Sequence, residues 1–598
     1  MRCFDYLRKT AVFRDVEQVY LKVFNMCGIV GVCRDSEFSL TDVMKSLKRL
    51  EYRGYDSWGI ATNGGFLEKK LGEIPKNISI EGKSNVAIAH TRWATHGGVT
   101  QLNAHPHSDC SGNIRIIHNG IIENYLDMKN SLIKKGHKFQ SETDTEVIAH
   151  YIEELVKSGK NIDEALRNFI SDAQGTFAVL AVRKGDDKIY AVKRDSPLVL
   201  GELADGMIIA SDIYAFANQT NNAVWIDNDE YVIVDKNGFS MFDAKGNKIE
   251  REMKSFDWKE ESQEHNYDHF MNKEIHEVPA AAERLIASFK LEQTEKLNQM
   301  TAEIKNADKI IFVAAGTSYH ASLLGAYFFN KAGIDARTII ASEFKGYTFV
   351  DDQTLVIAIS QSGETMDVIE ALKIAKERGA KIASVVNVPY STVQRMSSVS
   401  LQMLAGQEIC VAATKTFVNQ VLTLLVLAAE LGWKVDYDKI PSELKAVFEH
   451  EDQIKELAKK LANKHDLYII GRGMAYPVSR EIALKLKEIS YMHAEGMMGG
   501  ELKHGTLALI EKGTPVIGLV DNTEIISNMK EVEARGAEVI SISDCPTEFG
   551  GIQLQASSEA SFALGATIIG QMLTYYIAKE RGLPIDKPRN LAKSVTVK

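Results

Sequence analysis

The chemistry in this sequence begins at Cys27, in the run Met26-Cys27-Gly28-Ile29-Val30-Gly31. A cysteine attacks a carbonyl only as thiolate, and an ordinary pKa near 8.5 leaves little thiolate at neutral pH. A base must take its proton. The α-amino group of the same residue, with a pKa of about 7.7–8, can do so if Cys27 heads the mature chain. Here 26 residues precede it. They scatter charges along their length and lack the apolar run of a secretory signal. Three readings of residues 1–26 stay open: translation starting at Met26, a pro-segment cut before Cys27, or a retained extension that silences the nucleophile. The first is favoured, because initiator methionine is readily removed before a residue as small as cysteine.

Four further groups carry reactive side chains. His90-Thr91-Arg92-Trp93-Ala94-Thr95-His96-Gly97, Asn103-Ala104-His105-Pro106-His107, His118-Asn119-Gly120 and Ser141-Glu142-Thr143-Asp144 follow Cys27. The histidines fit no zinc spacing, so no metal is expected from them. Farther on, Ser360-Gln361-Ser362-Gly363-Glu364-Thr365 follows a buried-strand pattern and opens a helical one. Hydroxyls and N–H groups at a helix N-terminus suit a phosphate, and Thr317-Ser318 sits at a comparable strand end. Helix capping explains one such serine equally well, but not the whole run. Glu481, Lys485 and Glu488 recur on one face of a predicted helix, near Gly500-Glu501-Leu502-Lys503-His504-Gly505. A solvated ion-pair face is the plain alternative. The tail, Arg589-Asn590-Leu591-Ala592-Lys593-Ser594-Val595-Thr596-Val597-Lys598, reads by itself as a frayed end.

Together these motifs resemble the glutamine–fructose-6-phosphate aminotransferase family, with an N-terminal-nucleophile glutaminase ahead of two sugar-isomerase domains. The resemblance runs from Met26 to the C-terminus. It implies conversion of fructose 6-phosphate and L-glutamine to glucosamine 6-phosphate and L-glutamate, the opening step of amino-sugar synthesis. Cys27 would be the nucleophile, with Asn119 and Gly120 forming the oxyanion hole. Arg92 would hold the glutamine carboxylate and Asp144 its ammonium, with Trp93, Thr95 and His96 completing that pocket. Trp93 also stands where the family gates an apolar ammonia passage. Thr317, Ser318, Ser360, Gln361, Ser362, Thr365, Val411 and Ala592 would bind fructose 6-phosphate. Glu488 would move the proton between C1 and C2, His504 would open the sugar ring from a neighbouring subunit, and Lys593 would form an imine with the ketose. Lys485 is the expected neighbour that tunes Lys593. The resemblance implies a cytoplasmic homodimer without cofactor or metal. Trp58, Thr506 and Lys598 depart from the family pattern. Two other classes remain: another amidotransferase sharing only the first domain, and a non-catalytic phosphosugar-binding regulator.

These residues need a large scaffold. At 598 residues the chain exceeds one core, and three or four domains are expected. A net charge of −10 argues against nucleic acid as partner. Six unpatterned cysteines make no disulfide framework. The apolar stretches at 421–429 and 562–578 contain polar breaks and read as core helices rather than membrane spans. Residues 27–245 mix short β-rich runs with helical stretches at about 41–51 and 144–158, an α+β pattern suited to a glutaminase. Residues 246–300 read as a polar linker and connecting helix. Residues 301–440 and 453–588 each repeat buried strand, loop and helix, as α/β doubly wound parallel sheets do, with 589–598 as a tail. The second copy carries Asp521 where the first has its phosphate loop, so one phosphosugar site per chain is expected, in the first.

Overall fold

The computed structural model describes residues 27–94, 97–256 and 266–594. Thr95, His96, residues 1–26 and Lys598 therefore lie outside the described residues. The chain forms two compact units, divided between Lys254 and Ser255.

The first unit stacks an eight-stranded on a seven-stranded antiparallel sheet. Period-2 alternation along each strand builds the layers. Ile117 faces a core shared with Ile29, Ile88, Leu180 and Val232 of both sheets. Its neighbour Ile116 points the other way, against Val147, Ile148 and Phe169 of the helices Glu146–Lys157 and Ile162–Asp172. Strand pairing sets the site. Gly28–Ser39 runs antiparallel to Lys83–Arg92 with Gly28 opposite Thr91, which delivers Cys27 to the end of the strand carrying Arg92.

The second unit contains two five-stranded parallel sheets of identical strand order, second-first-third-fourth-fifth. Strands Thr354–Ser360 and Pro515–Val520 are buried at every position, as covered parallel strands require. Helices Lys415–Glu430 and Glu559–Glu580 contribute to the core that joins the sheets. The latter is long and apolar enough to cross a membrane by length and composition, yet its apolar window is entirely buried within the protein. From Phe270 on, the stretch read from sequence as a connection, residues 246–300, enters three helices, the last running to Asn306, whose Met271, Leu285, Phe289 and Met300 join the same core.

The helix carrying Glu481, Lys485 and Glu488 takes a different form from the sequence reading. The α-helix ends at Lys485, and Leu486–Ser490 widens into one π turn before Tyr491 stops it at φ 54°. Such turns displace the following side chains around the axis and recur at functional sites.

Candidate active site

In the first unit Cys27 Sγ accepts the Trp93 N–H at 3.2 Å. Asn119 Nδ2 donates to the Cys27 carbonyl at 2.7 Å, and its Oδ1 faces His90 Nε2 at 3.2 Å. The side-chain amide is thus held at Cys27. Gly120 has φ 121°, and a Cβ there would lie 2.1 Å from the Thr176 carbonyl, so only glycine fits. Burial pushes the Cys27 thiol up to about 11, despite the Trp93 N–H and the Arg92 charge. A thiol in that state needs a dedicated base before it can attack.

Arg92 and Asp144 are both buried. Arg92 donates to the carbonyls of Gly98 at 3.1 Å and Gly97 at 3.4 Å, while Asp144 Oδ2 accepts the Ile122 N–H at 2.9 Å. They are therefore placed by backbone contacts rather than as a surface ion pair. Trp93 packs edge-on against Tyr55, centroids 5.0 Å apart. Trp58 is buried in its strand with Lys70 Nζ 5.3 Å from the ring, so the larger residue is accommodated. His90 and His105 stack at 4.0 Å, with His107 edge-on to His105 at 4.8 Å. Their polar contacts are with protein groups, His118 N–H to His105 Nδ1 and Thr143 Oγ1 to His107 Nε2 among them.

In the second unit the loop after Thr354–Ser360 is folded by its own hydroxyls. Ser360 Oγ accepts the Gly363 N–H at 3.0 Å and Ser362 Oγ the Glu364 N–H at 3.1 Å. The Gln361 carbonyl accepts from Asn387 and Val388. Gly363 has φ 65°, and a Cβ would strike Ser391 Oγ at 2.0 Å. Thr365 occupies the N-cap of Met366–Glu377 without a side-chain cap bond. Ser594 Oγ donates to Ser362 Oγ at 3.0 Å, so the tail docks on this loop. The matching loop of the second copy differs electrically. There burial, with Glu559 and Asp544 nearby, raises Asp521 to about 7.

Lys485 joins the two copies' helices. Its Nζ donates to Glu488 at 2.6 Å and Thr317 Oγ1 at 2.9 Å, and lies 3.4 Å from Glu481. Burial works against its charge, but the two carboxylates outweigh it and hold the ammonium protonated. Ser318 Oγ accepts from Gln420 at 3.0 Å, and the Val411 N–H goes to the Asp586 carbonyl. Glu488 lines a recess with Tyr491 and Asn590, whose chain continues through Ala592 to Lys593. His504 is exposed in the wall of a cleft with Tyr319, Arg480 and Glu495, and Thr506 begins a short 3₁₀ turn after it. Lys487 and His493 line both this cleft and the recess that holds Glu488.

Lys593 Nζ bonds to the fully buried Glu408, while Lys485 is engaged by Glu481, Glu488 and Thr317. Sequence reasoning missed Glu408, which lies 185 residues away. It also missed Glu481 as the buried anchor of Thr317 at 3.1 Å and His320 at 2.8 Å. Glu408 is held down to about 2: burial opposes this, but Lys593 and hydrogen bonds from Thr416 and Thr414 prevail. Beside it, burial and the Glu408 charge raise Glu274 to about 8, with one oxygen accepting the Ile409 and Cys410 N–H groups. An acid raised in the fold stabilises it fully below about pH 4.3, and that contribution is lost as pH rises through about 8. Glu274→Gln keeps the acceptor oxygen and removes the titration. It should raise the thermal midpoint at alkaline pH by about 2 °C or more relative to wild type, with little gain in acid, read by calorimetry across pH.

Comparison with known proteins follows the same division. A glutamine amidotransferase domain model matches residues 75–256, and a SIS domain model matches residues 303–430 and 460–553. The C-terminal domain of glucosamine-fructose-6-phosphate aminotransferase from Francisella tularensis superposes with a TM-score of 0.51 at 32% identity, covering 55% of this chain and all of that one. Glutamine–fructose-6-phosphate aminotransferase (isomerizing) of Thermococcus kodakarensis is 43% identical, and that of Methanothermobacter thermautotrophicus 41%, each match covering 96% of this chain and 100% of the relative. With both domain types in this order and that identity along the relatives' whole length, the chain belongs to the glutamine–fructose-6-phosphate aminotransferase (isomerizing) family.

Proposed function

We propose that the chain converts fructose 6-phosphate and L-glutamine to glucosamine 6-phosphate and L-glutamate. The observation that carries this reading is one chain holding two complete sets of groups: Cys27 with Asn119, Arg92 and Asp144, and the Ser360–Thr365 loop with Glu488 and Lys593.

In the first set Cys27 adds to the glutamine side-chain carbonyl. Asn119 Nδ2 and the Gly120 N–H stabilise the oxyanion, ammonia leaves, and water releases glutamate from the thioester. Arg92 binds the substrate carboxylate and Asp144 its ammonium, with Thr95 and His96 completing the pocket. In the second set the loop hydroxyls and N–H groups bind the 6-phosphate, joined by Thr317, Ser318, Val411 and Ala592. Lys593 condenses with the C2 carbonyl, ammonia replaces it, and Glu488 carries the proton between C2 and C1. The charged Lys485 steadies Glu488 and developing negative charge on oxygen. Glu408, the ion-pair partner of Lys593, positions that lysine. His504 serves ring opening in a neighbouring subunit of a homodimer, a role supported by its exposure. Five unpaired cysteines among the described residues fit a reducing, cytoplasmic setting.

The test compares full-length protein with a chain beginning at Cys27, each given glutamine and fructose 6-phosphate. The chain with a free Cys27 amine should form glucosamine 6-phosphate and glutamate in equal amounts. The chain retaining residues 1–26 should only interconvert hexose phosphates. Amination of another acceptor in preference to fructose 6-phosphate would overturn the reading.

A further inference from the structure

A second cluster of ligating side chains lies in the first unit, among residues with no role in either reaction. Cys110 sits in the turn before strand Ile114–Ile122, His137 follows helix Tyr125–Lys134, and His150 and Glu153 share one face of helix Glu146–Lys157. Their ligand atoms all lie within 4.8 Å of one another. Cys110 Sγ is 3.7 Å from His137 Nδ1 and 3.4 Å from His150 Nδ1. Glu153 Oε2 is 3.1 Å from His137 Nδ1 and 3.4 Å from His150 Nδ1. Zinc bonds of about 2.3 Å to sulfur and about 2.0–2.2 Å to nitrogen or oxygen, at tetrahedral angles, give edges of about 3.6 Å and 3.3–3.4 Å. The four distances above, 3.1–3.7 Å, lie close to these edges, and the remaining two are within 4.8 Å.

The outer contacts point the same way. His137 Nε2 faces Glu154 Oε2 at 3.1 Å, and His150 Nε2 faces Glu146 Oε1 at 3.4 Å. A neutral imidazole has one N–H and one lone pair. Donated outward to these carboxylates, each ring turns its Nδ1 lone pair toward Glu153 Oε2 and Cys110 Sγ. Four ligand atoms then face a common centre, where Glu153 Oε2 also accepts the Cys110 backbone N–H at 3.1 Å. Carboxylates behind ligating histidines are the usual means of orienting them. The other oxygen of Glu153 lies 2.7 Å from Lys157 Nζ, and the Lys138 N–H donates to Cys110 Sγ at 3.4 Å. Both histidines and Glu153 are buried while Cys110 is exposed, which leaves an entry path.

We propose that Cys110, His137, His150 and Glu153 form a structural zinc site. All four positions are taken by protein, so the ion has no open coordination place and no part in catalysis. It ties a turn, a loop and a helix that no strand pairing joins. Glu146, behind His150, also accepts the Gln140 and Ser141 N–H groups at 2.8 and 2.7 Å, so the ion braces the segment leading to Asp144.

The test uses full-length protein purified without a histidine tag. After dialysis against a weak chelator, elemental analysis should find about one zinc per chain. Titration of metal-free protein with Co²⁺ should give ligand-field bands of tetrahedral cobalt and a thiolate charge-transfer band. Cys110→Ser, at an exposed position, should abolish that charge-transfer band with circular dichroism unchanged, whereas Cys27→Ala should keep it. Glu154→Ala, which touches His137 from behind, should weaken cobalt binding about 10–100-fold. Absence of stoichiometric zinc and cobalt binding, or an unchanged cobalt spectrum in Cys110→Ser, would show that protons alone hold the cluster and would overturn the proposal.

Discussion

Replacing Cys27 by alanine should cut glutamine hydrolysis and glutamine-dependent glucosamine 6-phosphate formation by on the order of 10⁴-fold or more, measured in a chain whose residue 27 carries a free amine. The size follows from the pocket. Burial has pushed the Cys27 thiol up to about 11, and the donors around it serve the adduct rather than supply a substitute nucleophile. Asn119 and Gly120 can stabilise an oxyanion only after something has attacked. Isomerisation of fructose 6-phosphate to glucose 6-phosphate uses no atom of this pocket and should persist within about twofold. Cys27→Ser should fare little better than alanine, because a hydroxyl is harder still to ionise. Residual glutamine turnover near the wild-type rate would place the nucleophile elsewhere.

Glu488→Gln should produce the opposite pattern. Sugar isomerisation and amination should fall about 10²–10⁴-fold, the usual contribution of a positioned acid–base group, while glutamine hydrolysis continues. Glutamine is isosteric, and its carbonyl oxygen can still accept from Lys485, which donates to Glu488 at 2.6 Å. Folding should therefore be preserved, and a thermal melt serves as the control. The charge on Lys485 is secured from both sides by Glu481 and Glu488; losing one leaves the other, so binding of the sugar should change less than turnover. A sugar-isomerase rate within tenfold of wild type would assign the proton transfer to another group. Taken together, the two variants divide the chain into its two chemistries, since each should silence one and spare the other.

Legibility divides by how far apart the contributing residues lie. The Ser360–Thr365 loop could be read directly because one continuous segment supplies both its hydroxyls and its helix N-terminus. Its Gly363 is required by φ 65° and by Ser391, and the sequence shows only that a glycine stands there. The parallel sheets were legible in runs such as Leu355–Ile359, whose unbroken apolar character has no other economical burial. The helix carrying Glu481 and Lys485 was legible by period, but its π turn was not, because Glu488 is displaced by a change in backbone hydrogen bonding that the side-chain spacing does not encode.

The sequence by itself determined the reactive residue types, the repeat of strand, loop and helix, and an α+β region ahead of two parallel sheets, since these depend on local composition and periodicity; that the first is a glutaminase and the others sugar-isomerase sheets came from the resemblance of their motifs to a known family. Only the tertiary structure decided which charges meet. Lys593 finds Glu408 across 185 positions, Thr317 and His320 converge on Glu481, and Cys110 meets His137 and His150 from different elements. None of these pairs is held by helical or strand period; each is fixed by how separate elements pack, and for the buried Glu408 and Glu481 a charge in the low-dielectric interior must find whatever partner that packing brings.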